Sequence, residues 1–249
     1  MTAAADAPVT DCRSCGRTDT GHVRSRNEDA LLVRDDLGLW AVADGLGGHA
    51  AGDYASQMIV ERLGRLQRPA RIEDFVEAIE DTLEAVNAEL RRTARARGVD
   101  LIGSTVAVLV QHHDYMLCGW VGDSRVYCFE DGRLRQATRD HAHGVDNGWQ
   151  AETGGDARRP PPQPGGGVLT RAVGAEEQLY IDWVVATRRP GVQFLLCSDG
   201  VNKEVGDREL EALFRADLTP PELIGRLFDT ALARGARDNV TAVVVRLAG

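Results

Sequence analysis

Carboxylate residues stand at the edges of apolar, strand-like runs at several separate places in this sequence. Asp44 follows the run Leu39–Ala43, Asp199 follows the run Val192–Ser198, and Asp238 comes just before the last apolar run. The remaining acids in similar positions are Glu28, Asp29 and Asp123. If these strands share one core, the acids gather at its edge and repel one another unless a cation lies between them. Hard divalent cations such as Mg²⁺ and Mn²⁺ prefer oxygen ligands, so the pattern predicts a metal site.

A single Asp-Gly pair has a simpler explanation, because aspartate and glycine are common turn residues. The combination of six acids, rather than any one of them, favours the metal site. Arginine or lysine could also neutralise the acids, but the basic residues stand mostly in predicted helices and loops. Glycine follows both Asp44 and Asp199, and it lets the backbone approach closely enough for a carbonyl oxygen to face an ion.

The elements that must position these acids can be predicted from hydrophobic periodicity. Two short apolar runs around the turn RDDLG predict a hairpin, and a helix is expected at roughly 50–66. Apolar residues then recur every three, four or seven positions from Ile72 to Leu90, which predicts one buried helix face. Three runs between Ser104 and Phe129 are joined by short links and predict an antiparallel meander.

Strands resume at 180–186 and 192–198, and two helices follow, the second opening at Thr219 with a capping-box pattern. A last strand is expected at 239–247. Strands and helices are segregated rather than alternating, which indicates an α+β fold of antiparallel sheets covered by helices.

Composition excludes several classes of protein. The formal net charge of −9 is the wrong sign for a non-specific nucleic-acid binder or a protein held on anionic lipid. No apolar run approaches the ~20 residues that cross a bilayer, and the first residues have no features of a secretory signal. The five cysteines are odd in number and stand partly in strand-like runs, which favours a reducing cytoplasm over a disulfide framework.

Seven stretches of the sequence carry a specific signal together. They are, in order, VRSRNEDALL, AVADGLGGHAAG, GSTVAVLV, GWVGDSRVY, LTRAVG, LLCSDGV and RDNVTAVVV. In that order they resemble the motifs of the metal-dependent type-2C Ser/Thr protein phosphatases, above all the short bacterial forms. SDG or DNVT alone would be a weak signal, but seven motifs in the right order are specific, and the resemblance runs from about Thr20 to Leu247.

This resemblance implies a sandwich of two antiparallel β-sheets flanked by helices on both sides, with a two-metal site at one end. By motif match, Asp44 would bridge two Mn²⁺ or Mg²⁺ ions, and the carbonyl of Gly45 would bind one of them. Asp199 and Asp238 would complete the protein ligands of the other ion.

The resemblance also assigns outer roles. Glu28 and Asp29 would hold metal-bound waters, and Asp123 would form a third, weaker ion site together with Asp199. Arg24 matches the phosphate-binding arginine of the family, and a guanidinium can offer two parallel hydrogen bonds to a phosphate.

The implied reaction is hydrolysis of phosphoserine and phosphothreonine in proteins by a metal-bridged hydroxide. His49 is the candidate acid that would protonate the leaving alkoxide. Two alternatives remain open: His49 could have only a structural or orienting role, and metal-bound water could donate the proton.

Two other functions remain as alternatives. A non-catalytic phosphoprotein-binding module would be expected to lose one or more metal acids, and none is lost here. A phosphohydrolase of small phosphate metabolites would carry the same metal core, so the sequence does not separate it from a protein phosphatase.

The domain expected is a single catalytic domain from residue 20 to residue 249, with a flap at about 141–168 that contributes to substrate choice. This flap is rich in glycine and proline, whereas the family usually has serine or threonine after Asp-His and then a helical stretch. Residues 1–19 are expected to form a flexible tail. The CxxC of Cys12 and Cys15 is interpreted as two thiols of that tail, and a redox pair remains the alternative.

The expected partners are phosphorylated Ser/Thr proteins, and the expected counterpart is a Ser/Thr kinase whose charge switch the enzyme reverses. We expect a cytoplasmic monomer that binds no nucleic acid and does not insert into a membrane.

Overall fold

Two antiparallel β-sheets lie face to face between two layers of helices. The computed structural model describes residues 12–47, 51–143 and 168–248. The strands are β1 (Cys12–Asp19), β2 (Asp29–Arg34), β3 (Leu39–Leu46), β4 (Gly103–Ser104), β5 (Val106–Gln111), β6 (Tyr115–Val121), β7 (Arg125–Glu130), β8 (Arg133–Gln136), β9 (Ala142–His143), β10 (Val168–Leu169), β11 (Asp182–Thr187), β12 (Gln193–Cys197) and β13 (Val240–Leu247). The helices are α1 (Gly52–Gly64), α2 (Ile72–Arg97), α3 (Asp199–Asn202), α4 (Asp207–Arg215) and α5 (Pro220–Ala233).

The first sheet contains the predicted hairpin and part of the predicted meander. Its strand order is β11-β6-β5-β3-β2, and the short β4 also pairs with β3. Strand β3 is buried on both faces from Leu39 to Ala43, because one face packs on helices and the other on the second sheet. That double burial explains why the sequence shows a continuous apolar run instead of alternation.

The second sheet has the order β1-β13-β12-β7-β8. Strand β13 is therefore central, with β1 on one side and β12 on the other, although it is the last strand in the sequence. Its residues Val240–Val245 are all buried. The ends of β12 and β13 come together next to the ends of β2 and β3, which places the acids of both sheets at the same edge.

Helices cover the outer face of each sheet. Helices α1 and α2 pack on the first sheet, and the predicted apolar face of α2 is buried there. Helices α4 and α5 pack on the second sheet. Helix α5 begins as predicted, with the Glu222 carboxylate accepting the backbone N–H of Thr219 at 2.9 Å.

A separate core fills the space between the sheets. Trp40 and Leu109 reach into it from the first sheet, and Phe194, Leu196 and Val243 reach into it from the second. With helices outside both sheets, the molecule has the α-β-β-α arrangement that the sequence predicted, so the α+β sandwich is confirmed.

The expected flexible tail is wrong for its second half. Cys12–Asp19 forms β1, which pairs antiparallel with β13 along its whole length, from Cys12 opposite Leu247 to Asp19 opposite Val240. This strand is largely polar and has little apolar signal of its own. It is held in the sheet by hydrogen bonds to a partner more than 200 residues away in the sequence, which periodicity does not reveal. The boundary expected at residue 20 is therefore too late, and residues 1–11 lie outside the described part of the chain.

The two N-terminal cysteines have packing positions in this strand. Cys15 packs against the core under α5, whereas Cys12 packs against the core between the sheets. They lie on opposite faces of β1, because residues three apart in a strand point in opposite directions. The CxxC spacing therefore brings the two thiols to neither a shared metal nor a common disulfide.

Among the described residues, none of the helices is long and apolar enough to span a bilayer. The expected flap at 141–168 lies almost entirely outside the described residues. At its base, β9 and β10 pair as a short ribbon, with His143 opposite Val168.

Candidate metal centre

The two acids of the first hairpin are direct neighbours across the sheet. In the antiparallel register of β2 and β3, Asp29 lies opposite Asp44. Asp29 is 3% exposed, and two carboxylates held side by side in a buried position disfavour each other's ionised form. The register alone therefore creates a place where positive charge is required.

The backbone of Asp44 is fixed by the GST motif that precedes β5. The backbone N–H of Asp44 donates to Thr105 Oγ1 at 3.1 Å, and Ser104 Oγ donates to the Asp44 carbonyl at 2.9 Å. Thr105 Oγ1 also lies 2.6 Å from Ser124 Oγ, in the turn that carries Asp123. Two distant motifs are thereby joined to the same aspartate.

Gly45 is required by the close approach of three segments. Its N–H donates to the Glu28 carbonyl at 3.1 Å. A Cβ at Gly45 would overlap the backbone of Gly52 at the start of α1, and a Cβ at Gly52 would lie 2.9 Å from the Gly45 carbonyl oxygen. The absence of side chains at both positions keeps Glu28 and Asp44 together.

Asp199 reaches the same edge from the second sheet. It opens the short helix α3 directly after β12. The preceding residue, Ser198, donates from Oγ to Asp29 Oδ2 at 2.7 Å and so ties the two sheets together. Asp29 Oδ1 and Asp199 Oδ1 are both buried without a hydrogen-bond partner. Buried polar atoms nearly always have a hydrogen-bond partner, so these two oxygens are suited to bind a cation.

Asp238 is held by two basic side chains. Arg24 Nε lies 2.9 Å from Asp238 Oδ1, and Arg24 also donates from Nη2 to Oδ2 at 3.1 Å. Lys203 Nζ lies 3.4 Å from Asp238 Oδ2 and forms a second ion pair with Asp199. Arg24 was assigned to the site by the resemblance, whereas Lys203 was missed by the sequence analysis. Its spacing of four residues from Asp199 is the signal that could have found it.

Asn239 is a second functional residue that the sequence analysis missed. Its amide nitrogen donates to the carbonyls of Thr20 and Arg26, both at 2.9 Å. Its Oδ1 accepts the N–H of Glu28 at 2.9 Å. One side chain therefore fastens the segment carrying Arg24 and Glu28 to the start of β13. Its position in the DNV motif, next to Asp238, was the available signal.

Replacing Asn239 with alanine is expected to destabilise the protein by about 2–4 kcal/mol, because three hydrogen bonds are lost and two backbone carbonyls and one N–H lose their partners. Chemical denaturation of wild type and Asn239→Ala measures this difference. Thr230→Ala on the exposed side of α5 removes one hydrogen bond to the Arg226 carbonyl and should cost far less. Equal losses for the two variants would contradict the clamp assigned to Asn239.

Asp123 stands in the turn between β6 and β7. Gly122 has a φ of +108°, and a Cβ there would lie 2.6 Å from Thr105 Cγ2, so the turn needs glycine. Below the turn, Arg125 forms a buried ion pair with Asp140 at 2.7 Å. Burial and the charge of Asp199 raise the pKa of Asp123 to about 6. Asp123 therefore belongs to the same electrostatic group as the acids at the sheet edge.

The six acids act on one another, and we call them the acid cluster: Glu28, Asp29, Asp44, Asp123, Asp199 and Asp238. Burial and then the charge of Asp29 raise the pKa of Asp44 well above its usual range. Burial raises the pKa of Asp29 to about 6, although hydrogen bonds from Thr241 and Ser198 oppose the shift. Such shifts are expected where carboxylates share a site that is completed by cations.

The acid cluster fits divalent ions by its chemistry, although no three of its described side chains have ligand atoms that all lie within 4.8 Å of one another. Among the described residues, the one group of three side chains whose ligand atoms all lie within 4.8 Å is His112, His113 and Asp114, in the turn after β5. In the acid cluster, Arg24 and Lys203 hold Asp238 and Asp199 instead. The two orphaned buried oxygens and the raised pKa values show that these two cations leave the cluster incompletely neutralised.

Sequence-predicted site residues thus meet at one edge of the sandwich, with one exception. His49, the candidate acid, lies outside the described residues, so its role stays a prediction. Arg24 is at the site, where its guanidinium pairs with Asp238.

Comparison with known proteins gives one family. The family described as protein phosphatase 2C matches residues 18–240. A serine/threonine phosphatase, stp, of Listeria monocytogenes is 32% identical over 238 residues, which is 92% of this chain and 93% of that protein.

Solved structures agree with this assignment. PppA, described as a key regulatory component of T6SS in Pseudomonas aeruginosa, is 38% identical with a TM-score of 0.84, covering 97% of this chain and 100% of that one. The catalytic domain of the serine/threonine protein phosphatase PstP, solved in complex with two manganese ions, has a TM-score of 0.79 at 28% identity, covering 96% of this chain and 99% of that one.

Proposed function

This chain belongs to the protein phosphatase 2C family, and we propose that its acid cluster holds two Mn²⁺ or Mg²⁺ ions for the hydrolysis of phosphoserine and phosphothreonine in proteins. The observation that carries the proposal is the buried group of carboxylates in which Asp29 and Asp199 keep unpartnered oxygens. Carboxylate oxygens of this kind are the ligands that hard divalent cations prefer.

The chain's own residues divide the work of holding the ions. Asp44 and the Gly45 carbonyl would hold one ion, and Asp199 and Asp238 would hold the other, with Asp44 shared between them. Asp29 keeps one oxygen on Ser198 and the other without a partner, which suits a residue that orients ligands around an ion. When bound, the two ions would supply an activated water and positive charge for the phosphoryl oxygens.

Arg24 would bind the substrate phosphate. Its side chain is 54% exposed, and its guanidinium already makes a two-pronged contact with a carboxylate. A phosphate dianion offers the same pair of oxygens with more charge. Once Asp238 is committed to an ion, the Arg24 fork is available for phosphate without leaving a buried charge unpaired. The proton for the leaving group is assigned to His49 by sequence only.

Wider features of the enzyme are also part of the proposal. We place the activity in a single domain that includes β1, in a cytoplasmic monomer that opposes a Ser/Thr kinase. The odd number of cysteines, three of which lie in or beside buried strands, is the sequence feature that supports a reducing compartment.

Removal of divalent ions is the experiment that tests the function. Chelation is expected to abolish hydrolysis of a phosphothreonine peptide, and added Mn²⁺ is expected to restore it. A parallel panel of sugar and nucleotide phosphates separates a protein phosphatase from a phosphohydrolase of small metabolites, since the ion site is common to both.

The control is the same assay with Asp81→Asn, which changes an exposed acid on α2 and should leave activity unaffected. Full turnover in excess chelator would refute the metal-dependent reaction. Peptide binding without any hydrolysis would favour the non-catalytic phosphoprotein-binding alternative.

A further inference from the structure

Lys203 is the only lysine in the sequence. The chain has 29 lysine and arginine residues together, and every other one is arginine. Its one lysine lies within the acid cluster. A lysine ammonium is a compact point charge, whereas an arginine guanidinium is a planar fork. The one basic residue with a compact charge therefore lies beside the acids Asp199 and Asp238.

The backbone holds Lys203 against the acids. It follows α3 at the distance of one helical turn from Asp199, and its N–H donates to the Asp199 carbonyl at 2.9 Å. Its Nζ is ion-paired with Asp199 Oδ2 and lies 3.4 Å from Asp238 Oδ2. The side chains of these partners are only 18% and 23% exposed, so the pairs are shielded more than ordinary surface salt bridges.

We propose that the Lys203 ammonium is a built-in cation of the metal centre, occupying the place beside Asp199 and Asp123 that a third divalent ion would otherwise take. The inference rests on the proposed function, because it presupposes that Asp199 is an ion ligand. It predicts a centre with two exchangeable ions and one fixed positive charge.

The charge balance of the cluster supports this assignment. Two divalent ions together with Lys203 and Arg24 carry as many positive charges as the six carboxylates carry negative ones. A third divalent ion would have to compete with a tethered ammonium for the same oxygens of Asp199. The tethered group has the advantage, since it loses no translational freedom on binding.

The environment of Asp123 gives a second reason. The charges of Asp199 and Lys203 both act on its carboxylate, with opposite signs, so the ammonium lies within electrostatic reach of both acids. Lys203 thus already acts on the acid that would be the partner of Asp199 in a third ion site.

Counting bound ions tests the inference without using activity. Full-length protein is stripped with chelator and dialysed against Mn²⁺, and bound manganese per chain is measured by mass spectrometry of the metal. Wild type is expected to bind two ions, and Lys203→Met is expected to bind three. Anomalous scattering from manganese-soaked crystals should place the additional ion beside Asp123 and Asp199.

Two control variants identify the cause of any gain. Arg24→Met also removes one positive charge from the cluster, but the removed guanidinium pairs with Asp238, and this variant should still bind two ions. The double variant Lys203→Met with Asp123→Asn should return to two ions, because the additional site loses its second carboxylate.

Each outcome has a separate meaning. A third manganese beside Asp123 in wild-type crystals, with Lys203 displaced, would overturn the inference and leave the proposed function intact, as would an unchanged count in a folded Lys203→Met. Wild type that binds no manganese would overturn the proposed function itself. If Lys203→Met does not fold, Lys203→Gln and the wild-type crystals decide the question.

Discussion

Asp44→Asn is expected to lower phosphatase activity by about a thousandfold and, with opposite sign, to raise the melting temperature of the metal-free protein by about 3 °C or more. Asp44 is the predicted bridge between the ions, so activity depends on its charge. Without ions, the same charge is a burden, because burial and the neighbouring carboxylates disfavour it. Phosphopeptide assays with Mn²⁺ and thermal melts in chelator measure the two effects.

The pH dependence of the melts adds an independent check. Asp29 and Asp123 have folded-state pKa values raised to about 6, whereas aspartate in an unfolded chain titrates near ~3.9. A raised folded-state pKa contributes stability that is fully present below about pH 4 and lost as the pH rises through about 6. The metal-free wild type should therefore lose this contribution between pH 4 and pH 6, and less of it should be lost in Asp44→Asn.

The control for both effects is Asp81→Asn, which should change neither activity nor melting temperature. An Asp44→Asn protein with normal turnover would remove Asp44 from the reaction. If Asp44→Asn melts at a lower temperature than wild type in chelator, the Asp44 carboxylate stabilises the fold without ions.

Gly200→Ala is the second change with a large expected effect. A Cβ at Gly200 would overlap the carbonyl oxygen of Asn239 and lie 3.5 Å from the Asp238 Cβ. The start of α3 must then move away from the start of β13, which separates Asp199 from Asp238. We expect a loss of about 1–3 kcal/mol in unfolding free energy and a clear loss of Mn²⁺ affinity. Chemical denaturation and calorimetric Mn²⁺ titration measure them.

Gly225→Ala is the matched control, because it adds the same methyl group in α5, where nothing lies within 4 Å of the new carbon. It should stabilise the protein by about 0.5–1 kcal/mol, since alanine favours the helix, and leave Mn²⁺ binding unchanged. Wild-type ion affinity in Gly200→Ala would contradict the close contact between Gly200 and Asn239 as the device that sets the spacing of these ligands.

Periodicity predicted antiparallel sheets covered by helices, with acids at the strand edges, because both features depend on local signals; the two-sheet sandwich was implied by the family resemblance. Asp44 and Asp199 each end an apolar run, and the order of the runs constrains which edges can meet. Strands β5, β6 and β7 correspond to the three runs predicted between Ser104 and Phe129. Short links between strands leave little freedom of arrangement.

The missed features depend on contacts between distant residues. Strand β1 is polar and exists because β13 offers it a partner. Asn239 contacts Thr20 and Arg26, which lie more than 200 positions away. Lys203 was overlooked because a basic residue after a short helix is commonplace until its neighbours in space are known. Its status as the only lysine was visible in the sequence and would have been a sufficient reason to look.

The central position of β13 also has a consequence for how the molecule is made. Synthesis proceeds from the N-terminus, so β1 has been made for a long time before β13, its neighbour among the described strands of the sheet, leaves the ribosome. Asp238 and Asn239 arrive together with that neighbour. Until then β1 is separated from the rest of the second sheet and the acid cluster lacks Asp238, so we expect a nascent chain to gain phosphatase activity only after β13 is in place.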